Sequence, residues 1–188
     1  GDVGIVGDVT TVVGQLADAA AGLEWRPLAW VEALRAAKTG PDGWECDIPE
    51  GGDGPLHPVW VHRQLATLLR PDDVLSFDGG DFCDFGRGVI PATGPASWYY
   101  LPHFGLLGPS LPAAMGAKVA EPERRCICVI GDGGFGFNAM ELETAVRERI
   151  PVVVILGNDS CWGIDAGIQL EVYGREVVVD LSPNVRYD

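Results

Sequence analysis

Hydrophobic and polar positions follow two alternating patterns along the second half of the chain. The runs "DDVLSFDGG", "RCICVIGDGG" and "IPVVVILGND" carry continuous apolar, largely β-branched cores, which predict strands buried on both faces, and "ASWYYLP" predicts a further one. Between and around them, "VWVHRQLATLL", "GPSLPAAMGAKVA" and "NAMELETAVRER" place apolar residues at helical spacing. Strands alternating with amphipathic helices predict an α/β fold, a parallel sheet with helices on both faces. Upstream, residues 1–22 predict a short strand and then a helix carrying Val12, Val13, Leu16 and Ala20, and "PLAWVEALRAAK" predicts a second helix. The Gly-, Pro- and Asp-rich "TGPDGWECDIPEGGDGPLHP" reads as a linker, which puts a boundary near residue 55 and divides the chain into 1–55 and 56–188. The last stretch, "GIQLEVYGREVVVDLSPNVRYD", predicts a helical start, a β-rich run and a tail. Val185 and Tyr187 would lack partners there, so it does not read as a domain end.

Three polar turns, "SFDGGD", "IGDGG" and "LGND", close the predicted strands. In a parallel sheet these carboxyl ends share one edge, where ligands bind. Within "GDGGFG", Gly131, Gly133 and Gly136 have the spacing of a dinucleotide turn. In that reading the N–H groups of residues 131–136 and the N-terminus of a helix over 138–149 approach a pyrophosphate, and Asp159 binds a ribose. Asp132 then lies beside the phosphates without a counter-ion, and each unit repulsion at about 4 Å costs on the order of 4 kcal/mol at an effective dielectric of about 20. A divalent cation reverses the sign. Asp132 with Asn158 or Asp159 supplies hard oxygen ligands, phosphate oxygens complete the shell, and Mg²⁺ suits such a set.

Composition narrows the choice. The chain has 188 residues, 47% of them hydrophobic, enough for a buried core. A formal net charge of −14 argues against nucleic acid as a partner and means that any anionic ligand needs local neutralisation. The five cysteines, Cys46, Cys83, Cys126, Cys128 and Cys161, show neither a disulfide framework nor zinc spacing; Cys126 and Cys128 share one face of a strand as small buried hydrophobes. This predicts a reducing, cytoplasmic setting. No stretch reaches the ~20 apolar residues of a spanning helix, and the N-terminus shows no basic region followed by an apolar one, so no membrane is expected.

Taken together, "GDGGFGFNAMELETAVRERIPVVVILGND" resembles the thiamine diphosphate signature, a GDG triplet followed by a helix, a strand and an Asn-Asn pair, and Asp159 follows Asp132 by 27 positions as in the acetolactate synthase-like branch. The resemblance implies that Mg²⁺ is held by Asp132, Asp159 and the main-chain carbonyl of Cys161; Asp159 stands where Asn is usual, which leaves Asn158 as a substitute ligand. Gly131, Gly133, Gly134 and Phe135 would surround the diphosphate. "GLLGPSLPAAMGAK" is similar to the segment in which a glycine carbonyl, here of Gly105, meets the cofactor's 4′-amino group and a bulky residue, here Leu107, bends the cofactor. "FDGGDFCDFGRG" places Gly80, Asp81 and Phe82 by the diphosphate, with Asp-Phe where acetolactate synthases carry Gln-His.

The resemblance implies a thiamine diphosphate- and Mg²⁺-dependent enzyme that decarboxylates or joins 2-oxoacids. The "DFGR" and "FGFNAMELET" wording leans instead toward 2-hydroxyacyl-CoA lyases and oxalyl-CoA decarboxylases. Residues 1–55 then correspond to the end of a central domain plus linker, and 56–188 to most of the diphosphate-binding domain. A pyrimidine-binding domain with its catalytic Glu would come from the same or a partner subunit of a homo-oligomer. The chain alone is expected to be inactive and to expose apolar faces.

Other residues carry structural expectations. His57, His62 and His103 lack an evident catalytic partner, Glu141 and Glu143 favour a helix N-terminus, and Trp98, Tyr99 and Tyr100 suit a core or interface. Asp78 is as readily structural as ligand-binding, and Trp162 divides between packing and the pocket. A nucleotide-binding module that needs no metal is the reading from another class.

Overall fold

The computed structural model describes residues 3–24, 28–39, 48, 51, 54–100 and 105–187. It divides the chain into two compact units, Gly1–Cys46 and Asp47–Asp188. In the first, α1 (Val9–Ala20) starts where Asp8 accepts the N–H and hydroxyl of Thr11, each at 2.9 Å, and α2 (Ala29–Thr39) follows. Val9, Val13 and Leu16 are exposed on α1, and Trp30 and Leu34 on α2. The short strand expected before α1 does not form among residues 3–24. A strand needs a ladder partner for its backbone, and "VGIV" has none among the described residues.

The second unit contains α3 (Pro58–Leu68), β1 (Val74–Phe77), α4 (Asp81–Val89), β2 (Trp98–Tyr100), α5 (Ser110–Ala120), β3 (Cys126–Gly131), α6 (Asp132–Asn138), α7 (Glu141–Arg147), β4 (Val153–Gly157) and α8 (Gly163–Tyr173). The strands form one parallel sheet in the order β2-β1-β3-β4. Period-2 alternation sends neighbouring residues of β3 to opposite layers. Ile127 and Val129 pack with Leu75, Phe77, Leu65 of α3 and Cys83 of α4, whereas Cys128 and Ile130 pack with Leu111, Ala114 and Met115 of α5, Phe135 of α6 and Ala145 of α7. Both faces of β1 and β3 are therefore covered, as the apolar runs predict; β4, at the sheet edge, is only half-buried and Val153 is exposed, because no strand among the described residues lies beyond it.

Three local expectations change. The segment after β1 is not merely a turn, because Asp81 opens α4. The helix expected over 138–149 is the shorter α7, and the Gly-rich stretch before it is itself helical from Asp132, as α6. The β-rich run near 177–180 forms no strand; only Asp180 bridges Cys161, antiparallel. Tyr187 does find a partner, with its ring edge-on to Phe135 at 5.8 Å between centroids. Cys126 and Cys128 are both buried, as expected, and burial pushes the Cys128 thiol up to about 12. Cys46 and His103 lie outside the described residues. Among the described residues no helix is long and apolar enough to cross a membrane.

The chain runs from β1 outward to β2 and returns through α5 to β3 on the other side of β1. The crevice between the carboxyl ends of β1 and β3 is thus the point where strand order reverses, which is where such sheets bind ligands.

Candidate functional site

A cavity of about 760 Å³ opens at this switch point. The ends of three strands form its floor: Gly79–Phe82 after β1, Gly131–Gly134 at β3 and α6, and Gly157–Ile164 after β4. Pro55, Leu56, Pro58 and Val61 add an apolar rim and Leu107 another wall. The register that pairs Gly131 with Gly157 brings Asp132 level with Asn158, one residue beyond each strand.

Asp132 is 4% exposed. Its Oδ1 accepts the N–H of Gly133 at 3.0 Å, and its Oδ2 is buried with no hydrogen-bond partner. Burial pushes this carboxyl above its ordinary value; the Gly133 N–H opposes the shift and the charge of Asp159 adds to it. Asp159 spends Oδ1 on the N–H of Cys161 at 3.1 Å and directs Oδ2 past Gly163, where a Cβ would meet it at 3.1 Å. The Oδ2 of Asp81 approaches the same point from α4, 3.5 Å away. Burial, then the Asp159 charge, raises the Asp81 carboxyl as well. Asn158 differs: its Oδ1 accepts from the N–H and hydroxyl of Ser160 at 3.2 and 3.4 Å.

The described lining includes the carboxylates of Asp81, Asp132, Asp159 and Asp165 and no Lys, Arg or His. A diphosphate entering this space needs a cation to come with it. Among the described residues no three His, Cys, Asp or Glu side chains converge as a ready metal cage. The donor set fits a cation held by two carboxylates, a main-chain carbonyl and phosphate oxygens, an arrangement usual for Mg²⁺. The unpartnered, buried Oδ2 of Asp132 supports that fit, since a buried carboxylate oxygen without a donor costs stability unless a ligand satisfies it.

The expected site residues separate into those at the cavity and those behind it. Gly80, Asp81, Phe82, Leu107, Gly131, Asp132, Gly133, Gly134, Asn158, Asp159 and Cys161 all line it. Phe135 does not; it is buried in the layer under α5. Gly105 is exposed with a positive φ of 60°, outside the lining. Trp162 does both things expected of it, lining the cavity and packing edge-on against Phe137.

Two contributors carried little signal in the sequence. The segment Val179–Leu181 braces the loop after β4, because Trp162 donates to the Val179 carbonyl at 2.8 Å and Leu181 to that of Ser160 at 2.7 Å. Its β-rich composition was the only sign of it. Asp78 is structural: it is buried and accepts the N–H groups of Gly79, Gly108 and Ser110, tying the end of β1 to the start of α5. His62, for which the sequence offers no catalytic partner, is fully buried and outside the cavity lining.

Comparison with known proteins agrees with this geometry. Residues 78–187 match the family model "Thiamine pyrophosphate enzyme, C-terminal TPP binding domain". A probable acetolactate synthase of Mycobacterium bovis is 36% identical over 185 residues, 98% of this chain and 33% of that protein. The 2-hydroxyacyl-CoA lyase 2 of Caenorhabditis elegans is 35% identical over 190 residues, 100% of this chain and 30% of that protein. Among solved structures, the thiamine diphosphate-dependent 4-hydroxybenzoylformate decarboxylase of Rhodococcus jostii RHA1 matches with a TM-score of 0.65 and 26% identity, over 72% of this chain and 26% of that one. The chain spans about a third of the length of the curated relatives it matches. The family match, over most of the residues that build the cavity at the switch point, places the chain in the thiamine pyrophosphate enzyme family, with residues 78–187 as its C-terminal TPP-binding domain.

Proposed function

We propose that this chain anchors the diphosphate of thiamine diphosphate through Mg²⁺, within a larger cytoplasmic enzyme that decarboxylates or joins 2-oxoacids. The observation that carries this reading is the pair Asp132 and Asp159, each with one oxygen committed to a local N–H and the other directed away from it. Asp159 is the better ligand of the two residues after β4, because the turn at Ser160 already engages the Asn158 oxygen. The carbonyl of Cys161 completes the protein's share, and its loop is fixed by Val179–Leu181.

When bound, the cofactor would supply a nucleophilic carbon and a sink for electrons next to a substrate carbonyl. The residues of this chain bind and orient. Gly131–Gly134 would bring backbone close to the diphosphate, Gly80–Phe82 would face it from the segment after β1, and Leu107 would form the wall beside the cofactor. The carbonyl of Gly105, which lies outside the lining of the ligand-free cavity, would meet the aminopyrimidine. A pyrimidine-binding domain from the same or a partner subunit of a homo-oligomer provides the catalytic Glu, so the isolated chain does not turn over.

A 2-hydroxyacyl-CoA or oxalyl-CoA substrate is the second reading, favoured by a lyase relative nearly as similar as the synthase. The nucleotide module is displaced, because it offers no cation to an anionic ligand in a cavity walled by carboxylates. Calorimetric titration with thiamine diphosphate tests the proposal. Binding should require Mg²⁺, vanish in Asp132→Ala, and be absent for NAD with or without metal. Metal-independent binding of either ligand would overturn it.

A further inference from the structure

His62 of α3 is buried to 0% exposure at a helix position where an aliphatic side chain would fill the same space. Its Nε2 lies 2.7 Å from the carbonyl oxygen of Phe82, which makes Nε2 the protonated nitrogen, and its Nδ1 has no partner. The ring also stacks, tilted, on that of Phe82, with centroids 4.6 Å apart. Two glycines make room for this pair. A Cβ on Gly86 would meet the imidazole at 2.7 Å, and one on Gly157 would meet the Phe82 ring at 2.4 Å.

The result is a continuous stack from Gly86 through His62 and Phe82 to Gly157. Its last two members, Phe82 and Gly157, belong to different walls of the cavity. Phe82 lies in the first turn of α4, directly after Gly80 and Asp81, and Gly157 ends β4 directly before Asn158 and Asp159. The Phe82 ring therefore touches both segments assigned to the diphosphate and cation, and His62 holds that ring by stacking and by its carbonyl contact.

We propose that His62 is a positioning residue which, through Phe82, fixes the separation of the Gly80–Asp81 wall from the Gly157–Asp159 wall. The consequence for ligand affinity rests on the cofactor reading above, whereas the clamp itself does not. A buried imidazole with one nitrogen unsatisfied is a poor choice for packing alone, and its single hydrogen bond is made to the backbone of the cavity wall.

Amide hydrogen exchange on the ligand-free chain tests the clamp. Asp84, whose N–H bonds to the Gly80 carbonyl at 2.9 Å, reports on the first turn of α4. His62→Leu keeps the bulk and loses the donor; Asp84 and its neighbours should exchange at least tenfold faster while Cys128 and Val129 in β3 keep their protection. His62→Gln, which restores an N–H at similar reach, should bring the rate within threefold of the parent. Gly86→Ala drives a methyl into the imidazole without altering any lining side chain and should give the same local signature, so the test survives a Leu variant that does not fold. Unchanged exchange in His62→Leu, or failure of Gln to rescue, overturns the proposal. In parallel, the thiamine diphosphate Kd in the presence of Mg²⁺ should rise about tenfold in His62→Leu. If the parent chain binds no cofactor while the exchange pattern is as described, the cofactor reading fails and the clamp stands.

Discussion

The carboxylate of Asp78 accepts the N–H of Gly108 with both oxygens, at 2.9 and 3.0 Å, across 30 residues of sequence. The same group takes the N–H of Ser110 at 3.0 Å and that of Gly79 at 3.0 Å, all inside the protein. One side chain thus fixes the end of β1, the loop carrying Leu107 and the start of α5. Asp78→Asn preserves shape but turns one acceptor into a donor facing N–H groups. Hydrogen bonds to a charged partner are worth about 1.5–3 kcal/mol each, so the variant should lose about 2–4 kcal/mol in urea unfolding. A loss below about 0.5 kcal/mol would mean that Asp78 is not the hub its contacts imply.

Gly108 meets two demands at once. Its φ is +92°, a conformation that L side chains rarely adopt, and a Cβ there would meet Phe137 at 2.7 Å and Asn138 at 2.9 Å. Its carbonyl accepts from the Asn138 amide at 2.9 Å, so the loop cannot move away freely. Gly108→Ala should therefore cost about 2–3 kcal/mol and also shift Leu107, weakening cofactor binding beyond the stability loss. Thermal unfolding and calorimetry on the same preparation separate the two effects.

The reasons why part of this architecture is readable from sequence are specific. β3 announces itself because "CICVI" is apolar without interruption, as a strand covered on both faces must be, and "VVVIL" marks β4 in the same way although that edge strand is only partly buried. The site is readable for a related reason: polar turns at the carboxyl ends of parallel strands converge, and Asp132, Asp159 and Asp81 do so. Helices α4 and α6 escape pattern reading because they contain Gly86, Gly88, Gly133, Gly134 and Gly136, and glycine is a poor helix former. Tertiary contacts override that preference. Gly133 lies against the Trp162 ring and Gly134 against the Asp78 carboxylate, at distances that exclude a Cβ. The glycines that look like a flexible turn are thus close-approach positions in a helix. The role of Val179–Leu181 is unreadable for another reason, since it depends on hydrogen bonds to a loop about 20 residues earlier.

Asp73 links acid stability to a single ion pair. Burial opposes its ionisation, but the hydrogen bonds from Arg125 and from the N–H of Arg70 outweigh this and hold the carboxyl below its ordinary 3.8. With the folded value lowered, the unfolded chain binds more protons in the window between the two values. The contribution is therefore fully present above about pH 4 and is lost as pH falls through the folded value. Asp73→Asn should destabilise the chain at pH 7 and flatten the acid limb of its stability profile. A parallel offset at every pH would show that packing, not ionisation, was removed.

Asp132 should behave in the opposite sense. Its folded value is raised, so the native chain holds the proton longer than the unfolded chain, and the group costs stability as pH rises through that value. At neutral pH without ligand, Asp132→Asn should therefore unfold at a higher temperature than the parent. With Mg²⁺ and thiamine diphosphate the order should reverse. A ligand present at about a hundred times its Kd stabilises the native state by about 2.7 kcal/mol, a gain open to the parent and closed to the variant if Asp132 holds the cation. Asp159→Asn should keep part of this gain, because an amide oxygen still serves as a hard ligand while the repulsion on Asp81 and Asp132 falls. Thermal melts of the three proteins, each with and without ligand, give the comparison. If Asp132→Asn is stabilised by ligand as much as the parent, the cation is held elsewhere and the assignment of the site is wrong.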